Sequence, residues 1–159
     1  MSDRKARLRQ TILADHAAAL SIFKSLTPEQ WEHPLPSDEG VLWKARDVLA
    51  HVAVSEAGQL HQINQALKGE PGIPADFDLN RFNRRSVEKQ AAATVADLLA
   101  LLEKEHAAVL ARLDEVSDAE LDKSGRHARG DTLTVEQFFH RITEHRRQHA
   151  EEIKQSLGS

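Results

Sequence analysis

Cysteine and tyrosine are absent from the 159 residues, and two tryptophans and five phenylalanines are the only aromatic side chains. The lack of cysteine excludes disulfides and thiolate ligands, so a transition metal would have to be bound by histidines and carboxylates. Strand-favouring runs are missing too, and the composition is that of a helical protein. No apolar run is long enough to cross a bilayer, and the charged start does not resemble a signal peptide. We therefore predict a cytoplasmic protein with no membrane partner.

The charge balance is mildly acidic, with a formal net charge of −4. A protein of this kind has no general attraction to phosphate backbones, so the charge predicts that it binds no nucleic acid. The length suits one domain, and we predict that residues 1–159 form it. A chain of this size can bury a core without a metal or a disulfide.

Apolar residues recur at helical spacing in four long segments. Capping boxes at Thr27–Gln30 and Ser117–Glu120 predict two short extra helices in the connections. The predicted long helices run from about Asp3 to Leu26, Lys44 to Leu67, Asn83 to Val116 and Thr134 to Leu157. Four amphipathic helices and no strands indicate an all-α four-helix bundle.

His145 and His149 interrupt the apolar stripe of the last helix, at positions where the pattern calls for an apolar residue. Four residues apart, they lie on one helix face with Cβ atoms roughly 6 Å from each other. This spacing allows one helix to offer two imidazoles to one ion. The alternative is a half-buried pair that is hydrogen-bonded to other side chains.

A third ligand has to come from another helix, and His51 in the second helix is the best candidate. At about 1.5 Å per residue, His51 reaches the level of His145 and His149 only if the second and fourth helices are antiparallel. His106 and His16 also lie on apolar stripes, but partly buried bundle histidines are the simpler interpretation of both. We assign no role to the remaining histidines in loops, on polar faces or on the flank of the last helix: His33, His61, His127 and His140.

Three fragments, in this order, resemble the DinB/YfiT-like proteins over nearly the whole chain. Trp43–His51 is similar to the opening of that family's second helix, Phe82–Asn83 to its Phe-Asn element, and Leu133–His149 to its last helix with His-x-x-x-His. One departure is Lys44, which stands where a Thr or Ser often caps the second helix.

The resemblance implies an up-down-down-up bundle in which the second and fourth helices are antiparallel. It also implies that a divalent metal, zinc or nickel, is bound by His51, His145 and His149. Family members include thiol-dependent S-transferases and mycothiol-dependent maleylpyruvate isomerases, and many are dimers. We therefore expect a small-molecule substrate, a low-molecular-weight thiol as co-substrate and a homodimer.

Three hypotheses for the function stay open. The first is a metal-dependent transferase, isomerase or hydrolase that activates a thiol or water. The second is a non-catalytic metal-binding stress-response protein, and the third is a metal-free bundle that binds a small molecule.

Further charged residues lie one turn from the predicted ligands. Arg141, four residues before His145, is a candidate for holding an anionic substrate group, with a solvated surface arginine as the alternative. Asp47 and Glu152 are candidates for orienting ligand imidazoles. Their alternatives are a helix-start charge for Asp47 and a solvent-facing side chain for Glu152. A small basic cluster near the third helix, interpreted as solvated, comprises Arg81, Arg84 and Arg85.

Overall fold

Six helices dominate the structure, a computed structural model that describes residues 1–36 and 41–158. The helices are α1 Asp3–Ser25, α2 Pro28–Trp31, α3 Ala45–Leu67, α4 Leu79–Lys89, α5 Val95–Glu115 and α6 Val135–Ser156. Two short antiparallel pairs of strands occur in the connections: β1 Pro34–Leu35 with β2 Trp43–Lys44, and β3 Ser124–Arg126 with β4 Thr132–Thr134. A single 3-10 turn spans Glu120–Asp122.

The long helices α1, α3, α5 and α6 form the bundle, and side-chain contacts give their directions. Nε of Arg4 donates to Glu136 at 2.8 Å, and Thr143 donates to Asp15 at 3.3 Å, so α1 and α6 are parallel. On the other side of the bundle, α3 and α5 are parallel. The Arg46 guanidinium binds backbone carbonyls just before α5, and Arg112 near the end of α5 donates to Asn64 near the end of α3.

α3 and α6 run in opposite directions. His51 near the start of α3 contacts His145 at the middle of α6, whereas Ala66 near the end of α3 packs on Gly125, which precedes α6. The order is therefore up, down, down, up, which confirms the predicted all-α four-helix bundle and its topology. The predicted grouping of the three histidines requires α3 and α6 to be antiparallel, and the structure meets this condition.

A polar layer divides the core into two apolar clusters. Each bundle helix contributes one buried residue to it: His16, Glu56, His106 and Arg146. On every helix this residue lies between members of the two clusters. Nε of Arg146 donates to Glu56 at 2.5 Å, and Nη1 lies 3.4 Å from Nδ1 of His106. The rings of His106 and His16 stack at 3.6 Å, so both are bundle histidines, as the simpler interpretation held.

Two details differ from the predicted elements. The predicted third helix, Asn83 to Val116, is wrong in its bounds, because α4 ends at Lys89 and α5 begins at Val95. A capping box made by Thr94 and Asp97 starts the new helix at that point. The prediction also contained no strands, whereas the connections form two short strand pairs.

The start of α3 explains how the chain manages without a hydroxyl cap. Lys44 is the capping residue, and its backbone N–H donates to the carboxylate of Asp47 at 3.0 Å. Asp47 therefore supplies the half of a capping box in which the third helical residue binds the N–H of the cap residue, while the hydroxyl half is missing.

Along residues 1–36 and 41–158, no helix has both the length and the apolar character needed to cross a bilayer.

Candidate metal centre

Three histidines meet at one wall of the bundle. Nε2 of His145 lies 3.1 Å from Nε2 of His51 and 3.0 Å from Nε2 of His149. The ring centroids are 4.4–5.1 Å apart. All three nitrogens thus face one point, although His51 belongs to α3 and the other two belong to α6.

The donor set fits a divalent transition metal. Nitrogens that share one tetrahedral zinc stand roughly 3.3 Å apart, given bonds of about 2.0 Å, and the observed separations lie close to this value. Imidazole nitrogens suit zinc and nickel. The ligand atoms of the triad all lie within 4.8 Å of one another. Within the described ranges, no other group of three or more His, Cys, Asp or Glu residues has its ligand atoms this close together.

Burial keeps two of the three rings, those of His51 and His145, uncharged before any metal binds. Desolvation lowers the pKa of His51 to about 3, with the charges of His149 and Arg129 acting in the same direction. Burial also lowers the pKa of His145 well below its usual range. Neutral rings keep their lone pairs available at ordinary pH, so protons do not compete with a metal for these two ligands.

Glu152 and Asp47, the carboxylates that the sequence places near the ligands, have different partners. Oε2 of Glu152 lies 3.0 Å from Nδ1 of His149, in the arrangement that sets the tautomer of a ligand imidazole. Asp47 binds the backbone N–H of Lys44 and the guanidinium of Arg46. These contacts place the charge of Asp47 at the start of helix α3, which is the alternative role that the sequence analysis gave it.

The triad opens into a cavity of about 770 Å³, which is within the usual range for small-molecule sites. α3 and α6 form one side. The rest is formed by residues of β1 and β2 with the adjoining Pro36 and Val41, the connection from α3 to α4, α4 itself and the β3–β4 hairpin. Apolar side chains make up a large part of its lining, among them Trp43, Ile73, Phe77 and Phe82. The cavity therefore combines an apolar wall with the three imidazoles.

His127, to which the sequence analysis gave no role, is buried in the cavity wall. Its Nδ1 accepts from the backbone N–H of Arg129 at 3.1 Å, and its Nε2 faces Oε1 of Gln59 at 3.4 Å. Desolvation lowers the pKa of His127 to about 4, so the ring is neutral. Its position could not be foreseen, because the hairpin must first fold onto α3.

Arg141 also lines the cavity, as its candidate role in substrate binding requires. Its guanidinium, however, is already paired with Asp131 in the hairpin, at 2.9 and 3.2 Å. Arg141 therefore ties the hairpin to α6, and its charge is largely neutralised.

The model of the DinB superfamily matches residues 11–153. The chain belongs to the DinB superfamily. This confirms the resemblance seen in the sequence, and the structure adds a histidine triad consistent with it. No curated protein matches the chain significantly.

Solved structures show the same fold at low sequence identity. The colibactin self-resistance protein ClbS, in complex with double-stranded DNA, has a TM-score of 0.79 and 16% identity, with 98% of this chain and 96% of ClbS covered. YfiT from Bacillus subtilis, described as a probable metal-dependent hydrolase with an unusual four-helix bundle topology, has a TM-score of 0.73 and 21% identity, with 99% and 90% covered. The mycothiol-dependent maleylpyruvate isomerase has a TM-score of 0.77 and 14% identity, with 96% and 63% covered.

The ClbS complex overturns one prediction. The prediction that excluded nucleic acid on the basis of composition is wrong, because a protein of this fold forms a complex with double-stranded DNA. A net charge of −4 is a sum over the whole chain and does not describe any one surface. On α4, Arg81, Arg84 and Arg85 are exposed and form no ion pair with the part of the chain that is described.

Proposed function

We propose that the chain is a metal-dependent enzyme that activates a low-molecular-weight thiol or water for transfer or hydrolysis. The supporting observation is the convergence of His51, His145 and His149 at a cavity able to hold a small molecule. A bound divalent ion, zinc or nickel, lowers the pKa of a coordinated water or thiol and polarises a carbonyl. The two alternatives that the sequence leaves open are a non-catalytic metal-binding stress-response protein and a metal-free bundle that binds a small molecule.

The protein's own residues would prepare this site in three ways. The buried rings of His51 and His145 stay neutral and offer their lone pairs. Glu152 favours the proton on Nδ1 of His149, which leaves Nε2 free to bind the metal. Since three protein ligands and no fourth are grouped among the described residues, a coordination position stays open for an outside molecule.

Metal analysis by mass spectrometry, before and after chelation, is the first test. We expect close to one equivalent of zinc or nickel, lost in His149→Ala and kept in His61→Ala. His61 is an exposed histidine that lines the same cavity outside the triad, so it serves as the matched control. Equal metal content in the two variants would contradict the site.

Catalysis is tested separately, because metal binding alone does not distinguish an enzyme from a non-catalytic metal-binding protein. The metal-loaded protein is assayed with low-molecular-weight thiols against an aromatic halide, and with ester and amide substrates in the absence of thiol. We expect turnover that His149→Ala abolishes and His61→Ala preserves. Stoichiometric metal without turnover on any pair would favour the non-catalytic alternative.

Binding of duplex DNA is a second candidate function, favoured by the basic face of α4. Arg81 and Arg85 are one helical turn apart, Arg84 flanks them, and all three are exposed. Fluorescence anisotropy with a short labelled duplex at low salt tests it, since phosphate contacts weaken as salt rises. Joint replacement of the three arginines by Gln should abolish binding. A control variant neutralises three exposed cations on other helices: Arg7, Lys24 and Lys104.

A further inference from the structure

The β3–β4 hairpin holds a short loop, residues 127–131, against the cavity. The backbone N–H of Ala128 donates to Gln62 of α3 at 3.1 Å, and Asp131 is bound by Arg141 of α6. Inside the loop, the N–H of His127 donates to the carbonyl of Asp131 at 2.8 Å. The loop is therefore fixed to both helices that carry the triad.

Arg129 is the cation that this loop presents to the cavity. Its side chain lines the cavity together with the triad, and its backbone N–H is fixed on His127. The neighbouring carboxylate of Asp131 is already taken by Arg141. Across residues 1–36 and 41–158 no ion pair is formed by the Arg129 guanidinium, which leaves an uncompensated positive charge at the wall.

The positive charge of Arg129 lies close enough to the triad to affect the pKa of two of its histidines. It contributes to the lowered pKa of both His51 and His145, after burial and the neighbouring histidines. The guanidinium and the imidazoles thus line the same cavity. Phe77 and Phe82, in ring contact at 5.5 Å, give this cavity an apolar part of its lining.

We propose that Arg129 binds an anionic group, of the carboxylate class, on the molecule that reacts at the triad. This rests on the proposed function, and it narrows the ligand class to small anionic molecules that also carry an apolar part, which the aromatic lining of the cavity can contact. A guanidinium suits a carboxylate because its planar donors match the two oxygens. Arg129 is therefore a specificity-determining residue, and Arg141 holds the loop that presents it.

The test compares two thiols that differ only in charge, 3-mercaptopropionate and 3-mercaptopropionamide. They are titrated into the cobalt-loaded protein, and thiolate binding is followed by the charge-transfer absorption. We expect the carboxylate to bind about five- to ten-fold more tightly than the amide, the range for a partly solvated charged contact. Arg129→Gln should remove the preference while cobalt stoichiometry and the affinity for the amide stay unchanged.

Two further variants distinguish a contact from bulk charge. Arg129→Lys keeps the cation and should keep most of the preference. Arg126→Gln removes an equal charge from the same hairpin, outside the cavity lining, and should leave the preference intact. Equal affinities of the wild type for the two thiols, no binding of either, or an undiminished preference in Arg129→Gln each overturns the inference.

If the triad does not bind a metal, the proposed function and the anion site at Arg129 can still be tested separately. If no variant holds cobalt, the proposed function fails, and the same two ligands are then titrated into the metal-free protein by NMR. A preference for the carboxylate that Arg129→Gln removes supports the anion site by itself. No preference for the carboxylate in the metal-free wild type, or one that Arg129→Gln leaves undiminished, refutes it.

Discussion

Replacing Arg146 by Met tests whether the polar layer is a coupled unit. Arg146 and Glu56 are both fully buried, and their contact of 2.5 Å joins α6 to α3. Removing the guanidinium leaves the Glu56 carboxyl among buried side chains without its partner. Breaking a buried ion pair in this way costs about 3–5 kcal/mol. For a chain of this size that lowers the melting temperature by roughly 6–20 °C.

The double variant Glu56→Met/Arg146→Met should recover most of this loss. Oε2 of Glu56 and Nη2 of Arg146 are buried, and neither has a hydrogen-bond partner in the described structure. The interactions within the pair therefore do not fully offset the free energy needed to remove both charged groups from water. Apolar residues of similar volume often replace such pairs with no net loss of stability. We expect the double variant within about 2 kcal/mol of the wild type, and both single variants well below it.

The pH dependence of stability gives a second measure of the same pair. Burial raises the pKa of Glu56 to about 7, while Arg146 opposes the rise. An acid whose pKa is higher in the folded than in the unfolded state binds more protons when folded, so its contribution to stability falls as pH rises. The decline should run from about pH 4.5 to 7 and be absent in Glu56→Met. In Arg146→Met it should extend to higher pH.

Circular dichroism at 222 nm during urea and thermal unfolding measures these effects. EDTA is present throughout, because a bound metal would add its own stabilisation. An Arg146→Met variant within about 1 kcal/mol of the wild type would refute the coupled pair. So would a double variant no more stable than the weaker single one.

Three other substitutions have defined outcomes. Glu152→Gln should weaken metal binding about ten-fold in a chelator competition, with exposed Glu151→Gln as its unaffected control, because the carboxylate orients a ligand ring. Thr94→Ala removes a capping side chain and should cost about 1 kcal/mol by urea unfolding, and no change would show that the cap is redundant. Gly72→Ala should destabilise by more than about 1 kcal/mol, since φ is +84° and a Cβ would lie 2.8 Å from backbone atoms of Arg126; an unchanged midpoint would contradict this.

Local signals predicted the long helices well where caps and periodicity agreed. The observed α1, α3 and α6 differ by one residue or less at each end from the predicted limits. The break between α4 and α5 was missed because Ala91–Ala93 favours helix, and the periodic pattern seemed to continue through it. The capping box at Thr94 and Asp97 was the signal that could have shown the break.

The histidine triad was predictable because His145 and His149 interrupt an apolar stripe and His51 lies at a matching height in an antiparallel helix. The family resemblance supplied the antiparallel geometry. The pairing of Glu56 with Arg146 was not predictable, since the two residues are 90 positions apart and neither lies in a local motif. The same is true of Arg129, whose position depends on contacts between a hairpin loop and two helices. Sequence periodicity shows which side chains are buried, but it does not show which polar partners they meet.

The bundle should fold without its metal, and this distinguishes the site from a structural one. The two apolar clusters are built from all four bundle helices, whereas the triad lies at the cavity wall and draws on only α3 and α6. Removing the metal therefore removes no part of the core, and the helical signal at 222 nm should be unchanged after chelation. Small domains that depend on structural zinc unfold under the same treatment. Loss of helix on chelation would show that the triad holds the fold together, and it would argue against an open site that exchanges outside ligands.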